Sequence, residues 1–381
     1  MAAESIGPAV TDARAVDPAT ARAWLDVDLA ALVANAGYMR ARAGVPLVPM
    51  IKADGYGLGA VAVARTLIAH GDPWGFGIAT VEEGRALRDA AVAARLLVCT
   101  PLLGEEFARA HALGLTPLLH RAEDVRAWAE ASGGAPWHLG IDTGMARAGV
   151  RWDRPDAALL AAVAAHPPEG ACTHFHSADR GDDTRAVQTD RFLAAVAGLP
   201  ARPRLLHAEN SPAVEASGPS PWDLVRPGIY LYGVSTVVTR GPDAADAAPV
   251  AHLRARVVDV REVAPGEGVS YGSTWRADRA RRIATVAVGY GDGYRRALSN
   301  RGEAVLHGRL APVAGLVTMD MTMLDVTDIP CAVGDVATLV GAAGGRLLTV
   351  ADVAARGELS PYELLTGFAL RVPRRYREAA A

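Results

Sequence analysis

Val48-Pro49-Met50-Ile51-Lys52-Ala53-Asp54-Gly55-Tyr56-Gly57 reads as the end of a buried strand running into a tight glycine turn. It contains the only lysine of the chain. The 381 residues hold 39 lysines and arginines together, so the other 38 cations are arginines. A chain this rich in Ala, Arg and Gly places arginine at ordinary surface positions. A lysine kept against that drift is expected to serve as a primary amine and not merely as a charge. Arginine does not lose its proton in a protein, whereas lysine can be tuned into a nucleophile or a base.

Working outward, apolar strand-like runs recur near residues 46–51, 74–79, 95–99, 116–119, 136–142, 169–174, 203–207 and 224–232, with helix-compatible Ala/Leu/Arg-rich segments such as 58–70 and 184–197 between them. Thr80 with Glu83 three residues later makes a capping box at the start of one such helix. Repeated strand–helix units imply a parallel sheet, and eight of them imply a closed (β/α)8 TIM-type barrel. Beyond the polar stretch 240–249 the pattern changes to short β-type runs at 257–263, 283–288, 304–306, 313–317, 323–326 and 336–340, with a short helix near 349–356. The expected organisation is a flexible N-terminal arm over residues 1–20, an α/β barrel over 21–240 and a mainly β C-terminal domain over 241–381.

Composition narrows the function classes. A formal net charge of −3 gives no electrostatic case for nucleic acid or an anionic membrane. No apolar run reaches spanning length. Residues 1–20 lack a basic stretch followed by an apolar core, so they do not read as a secretion signal. Cys99, Cys172 and Cys331 are an odd, scattered set, which fits reduced thiols in a cytoplasmic protein. No Cys/His cluster has zinc spacing, so no metal is expected.

In a barrel of this kind chemistry gathers at the C-terminal ends of the strands. Lys52 and Tyr56 follow the first strand, Arg147 the fifth, and His174 ends the sixth. His207 ends the seventh and precedes Asn210-Ser211, while Arg226, Gly228 and Ile229 lie on the eighth. One rim thus receives an amine, two imidazoles, two guanidiniums and a hydroxyl. Each has a bland reading alone, His174 as a core imidazole and Arg147 as a solvated charge. An unprotonated lysine amine condenses with an aldehyde, and pyridoxal 5'-phosphate is the obvious cofactor. Its phosphate needs backbone N–H groups, hydroxyls and a helix start, which Asn210-Ser211-Pro212 and Gly228-Ile229 provide. The glycines around Tyr56 have neither Walker nor dinucleotide spacing.

With these motifs in place, the chain resembles the bacterial alanine racemases, fold-type III pyridoxal phosphate enzymes, from about residue 24 to residue 376. The run around Lys52, Asp142-Thr143-Gly144-Met145 with Arg147, Thr173-His174-Phe175, His207 with Asn210-Ser211, and Arg226-Pro227-Gly228-Ile229 match in order. Val269-Ser270-Tyr271-Gly272, Gly289-Tyr290-Gly291-Asp292, Thr318-Met319-Asp320 and Arg371-Val372-Pro373-Arg374 follow. The resemblance implies a homodimer that shares its sites between subunits and acts on a small amino acid. Lys52 would carry the cofactor and act as one catalytic base, with Tyr271 of the other subunit as the second. Arg226 would meet the pyridine nitrogen. His174 would bridge Arg226 and Tyr271 and place positive character beside the phenol. Tyr56, Ser211, Gly228 and Ile229 would bind the phosphate, with Asn210 and His174 also among the cofactor-binding residues. Arg147 and the Met319 backbone would hold the substrate carboxylate, and Tyr290 would narrow the entrance.

Three positions depart from the family pattern. Gly140 stands where many members carry a carbamylated lysine that braces the arginine equivalent to Arg147, so that arginine is expected to be oriented otherwise. Leu370 replaces a tyrosine that helps position the phosphate, and Leu58 replaces a common histidine. The departures at Gly140 and Leu370 keep open a different amino acid, or another reaction at Cα such as decarboxylation, retro-aldol cleavage or epimerisation. A non-catalytic cofactor carrier would match the barrel alone, so the second domain and Tyr271 argue against it.

Overall fold

A computed structural model describes residues 20–237 and 244–378. The arm expected over residues 1–20 lies, but for Thr20, outside the described residues, as does the boundary expected between residues 240 and 241. The described residues form two compact units, one within residues 29–249 and one that joins residues 250–377 to residues 20–28.

In the first unit, Phe76–Ile78, Leu96–Val98, Thr116–Leu119, His138–Asp142, Gly170–Cys172 and Leu205–His207 lie side by side in that order, all parallel. The two remaining barrel segments close the ring through single bridges, Leu47 with Val225, Met50 with Gly77 and Asn210 with Arg226. Val48 N donates to Val225 O, and Ile51 N donates to Gly77 O, both at 2.8 Å. Pro46, Pro49 and Pro227 have no N–H to give, which explains why these segments pair at points and not along ladders. The run 224–232 is therefore not one strand. After Pro227 and Gly228 the chain turns into the 3-10 helix Ile229–Tyr232.

The barrel interior is packed. Val48, Leu97, Leu118, Cys172, Leu205 and Leu224 come from six different staves and form one buried cluster. Each such side chain contributes on the order of 1.5–3 kcal/mol through burial. Helices Ala60–Gly71 and Thr184–Ala197 cover the outside where helices were expected.

The second unit is built on the 13-residue strand Ala251–Val263. Its main sheet runs Arg309–Pro312, Glu303–Leu306, Val336–Thr338, Ala251–Val263, Ala23–Asp28 and Arg374–Arg377, while Arg281–Val286 pairs both Ala251–Val263 and Thr322–Asp325. The expected helix is present as Val350–Arg356, with Thr349 and Asp352 forming its capping box. Residues 313–317 are not a strand; only Val313 bridges Leu324, and Gly315 turns the chain at φ +84°.

The barrel expected from residue 21 begins instead at Leu29, because Ala23–Asp28 is an inner strand of the second sheet. Its Asp26 is fully buried and accepts from Arg254 (2.7 Å), Arg375 (2.5 and 2.9 Å) and Arg377 (3.0 Å). A buried carboxylate needs such partners, and only this sheet supplies them. Burial pushes the Asp26 carboxyl up, but the hydrogen bonds from Arg375 and Arg254 outweigh it and hold the group below its ordinary value.

Candidate active site

Lys52 opens a turn of unusual hand. Ala53, Asp54, Gly55 and Tyr56 have φ of 53°, 53°, 63° and 56°, a left-handed helical turn in which only one residue is glycine. Each non-glycine residue there costs roughly 1–2 kcal/mol, so the surroundings must impose it. Asp54 Oδ1 accepts from Ala60 N at 2.9 Å and Asp54 O accepts from Gly59 N at 2.7 Å. Tyr56 stacks on the buried Tyr232 with ring centroids 4.5 Å apart, and the Tyr232 hydroxyl donates to Met50 O at 2.8 Å. Glu83 adds the brace from outside. Thr80 caps its helix as expected, but the Glu83 carboxylate reaches past the cap to Ala79 N and Ala53 N, each at 2.7 Å. The residue read as half of a capping box thus grips the peptide that follows Lys52.

Across the rim, Asn210 caps the helix Ser211–Ser217 by accepting from Ala213 N at 3.2 Å. Ser211 Oγ accepts from Gly228 N (2.8 Å) and Tyr230 N (3.3 Å), leaving its own hydrogen to donate. A Cβ at Gly228 would meet the Tyr56 hydroxyl at 2.3 Å, so the phenol lies directly against the backbone there. Tyr56, Ser211, Gly228, Ile229 and Asn210 are thereby brought together.

Arg226 is buried and fully engaged through its two terminal nitrogens. Nη1 donates to His207 Nδ1 (2.5 Å) and His207 O (2.9 Å); Nη2 donates to Thr173 O (2.6 Å) and Ala208 O (3.2 Å). Its imidazole partner is therefore His207, not His174 as expected. His207 ends the neighbouring stave with its ring turned inward, where Arg226 enters. His174 is not positively charged either. Burial, followed by the charges of Arg226, Arg147 and Lys52, pushes it down to about 3. The same three cations act on Cys99, whose thiol burial nevertheless pushes up.

Arg147 follows a turn in which Asp142 Oδ1 accepts from Gly144 N (2.9 Å) and Ala146 N (3.1 Å). Its side chain is exposed and makes no hydrogen bond or ion pair among the described residues. Buried Gln188 ties this loop to the next by donating to Thr143 Oγ1 (3.0 Å) and His174 O (3.1 Å) while accepting from His176 N (3.0 Å). Nothing in its helical context marked Gln188 as more than an amphipathic position. The space left by Gly140 is filled: a Cβ there would lie 2.3 Å from two atoms of the His120 ring. Neither His120 nitrogen has a hydrogen-bond partner among the described residues, and burial lowers its pKa.

The second unit carries Tyr271, Tyr290 and Met319. Tyr271 follows Ser270, whose φ is +65° and whose hydroxyl donates to Leu316 O at 2.7 Å; the phenol is 74% exposed. Tyr290 N donates to Thr318 O (2.9 Å) and Gly291 N to Met319 O (2.8 Å), which joins the Tyr290 and Met319 turns. Leu370 is exposed beside Arg371, whose guanidinium donates to Asp292 and Asp320, both at 2.7 Å.

A parallel α/β barrel that carries its single lysine at the rim, in one chain with a mainly β unit, defines a class of protein with known members. The family model for the alanine racemase N-terminal domain matches residues 27–236, and that for the C-terminal domain matches residues 250–376. The chain belongs to the alanine racemase family. It is 38% identical over 351 residues to an alanine racemase of Sorangium cellulosum, covering 86% of this chain and 91% of the relative. Among solved structures, the alanine racemase of Bacillus anthracis with bound L-Ala-P superposes with a TM-score of 0.86 at 28% identity, covering 94% of this chain and 96% of that one. The alanine racemase of Bartonella henselae with covalently bound pyridoxal phosphate gives 0.81 at 27% identity, covering 94% and 100%.

Proposed function

We propose that this chain is a pyridoxal phosphate-dependent racemase that interconverts L- and D-alanine, working in the cytoplasm as a homodimer with sites shared between copies. One observation carries the reading. The single lysine stands on an enforced left-handed turn that also sets the Tyr56 hydroxyl against Gly228, whose N–H donates to Ser211 Oγ. The donor set fits the cofactor. Tyr56, Ser211, Gly228, Ile229 and the cap at Asn210 offer hydroxyls, amides and a helix start to a phosphate. Lys52 would hold the aldehyde carbon. Arg226 would face the pyridine nitrogen, and its Nε lies outside the four bonds made by Nη1 and Nη2. When bound, pyridoxal phosphate supplies an electron sink that lets the Cα–H bond of an attached amino acid break.

Proton exchange with inversion at Cα needs two groups, since a single base returns the proton to the face it left. Lys52 Nζ serves one face. Tyr271 Oη of a second copy serves the other, in keeping with an exposed phenol beside the Ser270 turn. Met319 and Leu370 on the same unit are exposed apolar side chains of the kind a partner covers. Arg147 and the Met319 backbone hold the substrate carboxylate, and Tyr290 narrows the entrance. Arg226 donates a hydrogen bond but no proton, so the ring remains a weak sink, which limits side reactions such as transamination. His174, being neutral, contributes hydrogen bonds and not charge. Three free cysteines fit a reducing compartment. The matched relatives carry the alanine racemase name, which favours racemisation over other Cα chemistry.

The test is chiral analysis of alanine after incubation in heavy water with pyridoxal phosphate. Wild type is expected to turn yellow and give both enantiomers labelled at Cα. Lys52→Arg is expected to stay colourless and lose at least about 1,000-fold in turnover. Wild-type protein that takes up cofactor yet exchanges no Cα proton would overturn the assignment.

A further inference from the structure

A line of buried polar groups runs away from Arg226 through the barrel interior, and nothing in the proposed chemistry uses its far end. His207 Nε2 lies 2.8 Å from His138 Nδ1. His138 Nε2 lies 3.7 Å from Glu169 Oε2 and has no hydrogen-bond partner of its own among the described residues. Glu169 in turn accepts from Arg204 at 2.6 Å and from Arg95 at 3.2 Å. Both imidazoles are fully buried. The place is built for the ring: a Cβ at Gly170 would sit 2.7 Å from the His138 imidazole, and the Trp74 ring closes the other side at 5.7 Å.

The donors and acceptors in this line can be ordered in only one way. A guanidinium has donors and no acceptor. His207 Nδ1, 2.5 Å from Arg226 Nη1, must therefore accept, and the proton of a neutral His207 sits on Nε2. That Nε2–H donates to His138 Nδ1, which must also accept. The His138 proton is then on Nε2, aimed at Glu169. Protonating either ring fully would set N–H against N–H inside the line. Burial lowers the pKa of both rings in any case, and the charge of Arg226 opposes protonation of each. The charged groups facing His138 are Glu169, Arg95 and Arg226, and the neutral ones are His207 and Trp74. Glu169 is kept ionised at about 2, with His138 as the largest cause, followed by Arg204 and Arg95 acting against burial.

We propose that His138 and Glu169 are positioning residues: His207 donates to His138 in a one-way order, and the Glu169 carboxylate, 3.7 Å beyond, holds the His138 proton on Nε2, so that both imidazoles stay neutral Nε2–H tautomers and Arg226 is fixed at the rim. Arg226 sets the direction, and the Glu169 charge at the far end favours the same order by holding the His138 proton on Nε2. Without that charge, His138 can move its proton to Nδ1, His207 must follow, and an N–H then faces the Arg226 N–H at 2.5 Å. The consequence for turnover rests on the racemase reading; the tautomers do not.

The experiment is nitrogen NMR of the full chain labelled with 15N-histidine, with and without added pyridoxal phosphate, using His138→Asn and His207→Asn to assign the two signals. Wild type at pH 7 is expected to show both rings neutral with the proton on Nε2. Either ring as an imidazolium, or as the Nδ1–H tautomer, overturns the proposal without any variant. Glu169→Gln is expected to populate the Nδ1–H tautomer of His138. It is also expected to lower kcat for alanine by about 10-fold with KM within about 2-fold, as for a group acting through Arg226 and not on substrate binding. Unchanged tautomers and unchanged kcat in a folded Glu169→Gln protein also overturn it. The expected tautomers in a wild-type protein that racemises nothing would support the chain while sinking the proposed function.

Discussion

At Gly140 the lack of a side chain decides where the His120 ring can lie. In this chain the His120 ring occupies the volume beside Gly140, 2.3 Å from where a Cβ would stand. Gly140→Lys is therefore expected to lose about 1–3 kcal/mol of stability by overpacking, read as a lower urea midpoint at unchanged slope. Gly140→Lys combined with His120→Gly is expected to regain most of it. A single variant as stable as wild type would show that His120 moves aside freely. The glycine was plain in the sequence. Its filler was not, because His120 lies twenty residues earlier on the adjacent stave and no local pattern couples the two.

Among the elements, the left-handed turn after Lys52 depends on its neighbours more than on its own residues. Glu83 satisfies Ala53 N and Ala79 N from a helix that the sequence marked only through its cap. Glu83→Ala leaves both amides without that acceptor. It is expected to cost about 1–3 kcal/mol in chemical denaturation and to weaken pyridoxal phosphate binding measured by absorbance titration. Intact cofactor affinity would mean that the turn holds itself. The glycine turn was legible in Gly55 and Gly57, whereas its hand was not, since Ala53, Asp54 and Tyr56 ordinarily avoid positive φ. A similar limit applies to Arg226. Strand ends placed His174 and His207 on the same rim, and only the inward turn of the His207 ring selects the arginine's partner.

For the whole molecule, residues 23–28 are tied within one sheet to residues 374–377 and 251–255 by Asp26, which takes three guanidiniums from Arg254, Arg375 and Arg377. Its folded pKa lies below the unfolded value, so the stabilisation is complete above the ordinary carboxylate range and is lost as pH falls through the folded pKa. Asp26→Asn is expected to lower stability at pH 7 by roughly 3 kcal/mol, towards the small end for a broken buried pair because two of the arginines are partly exposed. It is also expected to flatten the loss of melting temperature between pH 5 and pH 2. An acid profile unchanged by the substitution would remove Asp26 as the link.

Alone, the sequence determined the succession of strand–helix units, the change to β structure after the barrel, and which reactive side chains reach the strand ends. All of these follow from short-range periodicity and from where a motif falls on its own element. Only the tertiary structure decided that residues 23–28 belong to the second sheet, that His120 fills the place beside Gly140, and that Arg226 leans on His207 and the line behind it. Each of these pairs groups far apart in sequence. Burial and hydrogen-bond satisfaction select such partners in space, and neither leaves a mark on neighbouring residues.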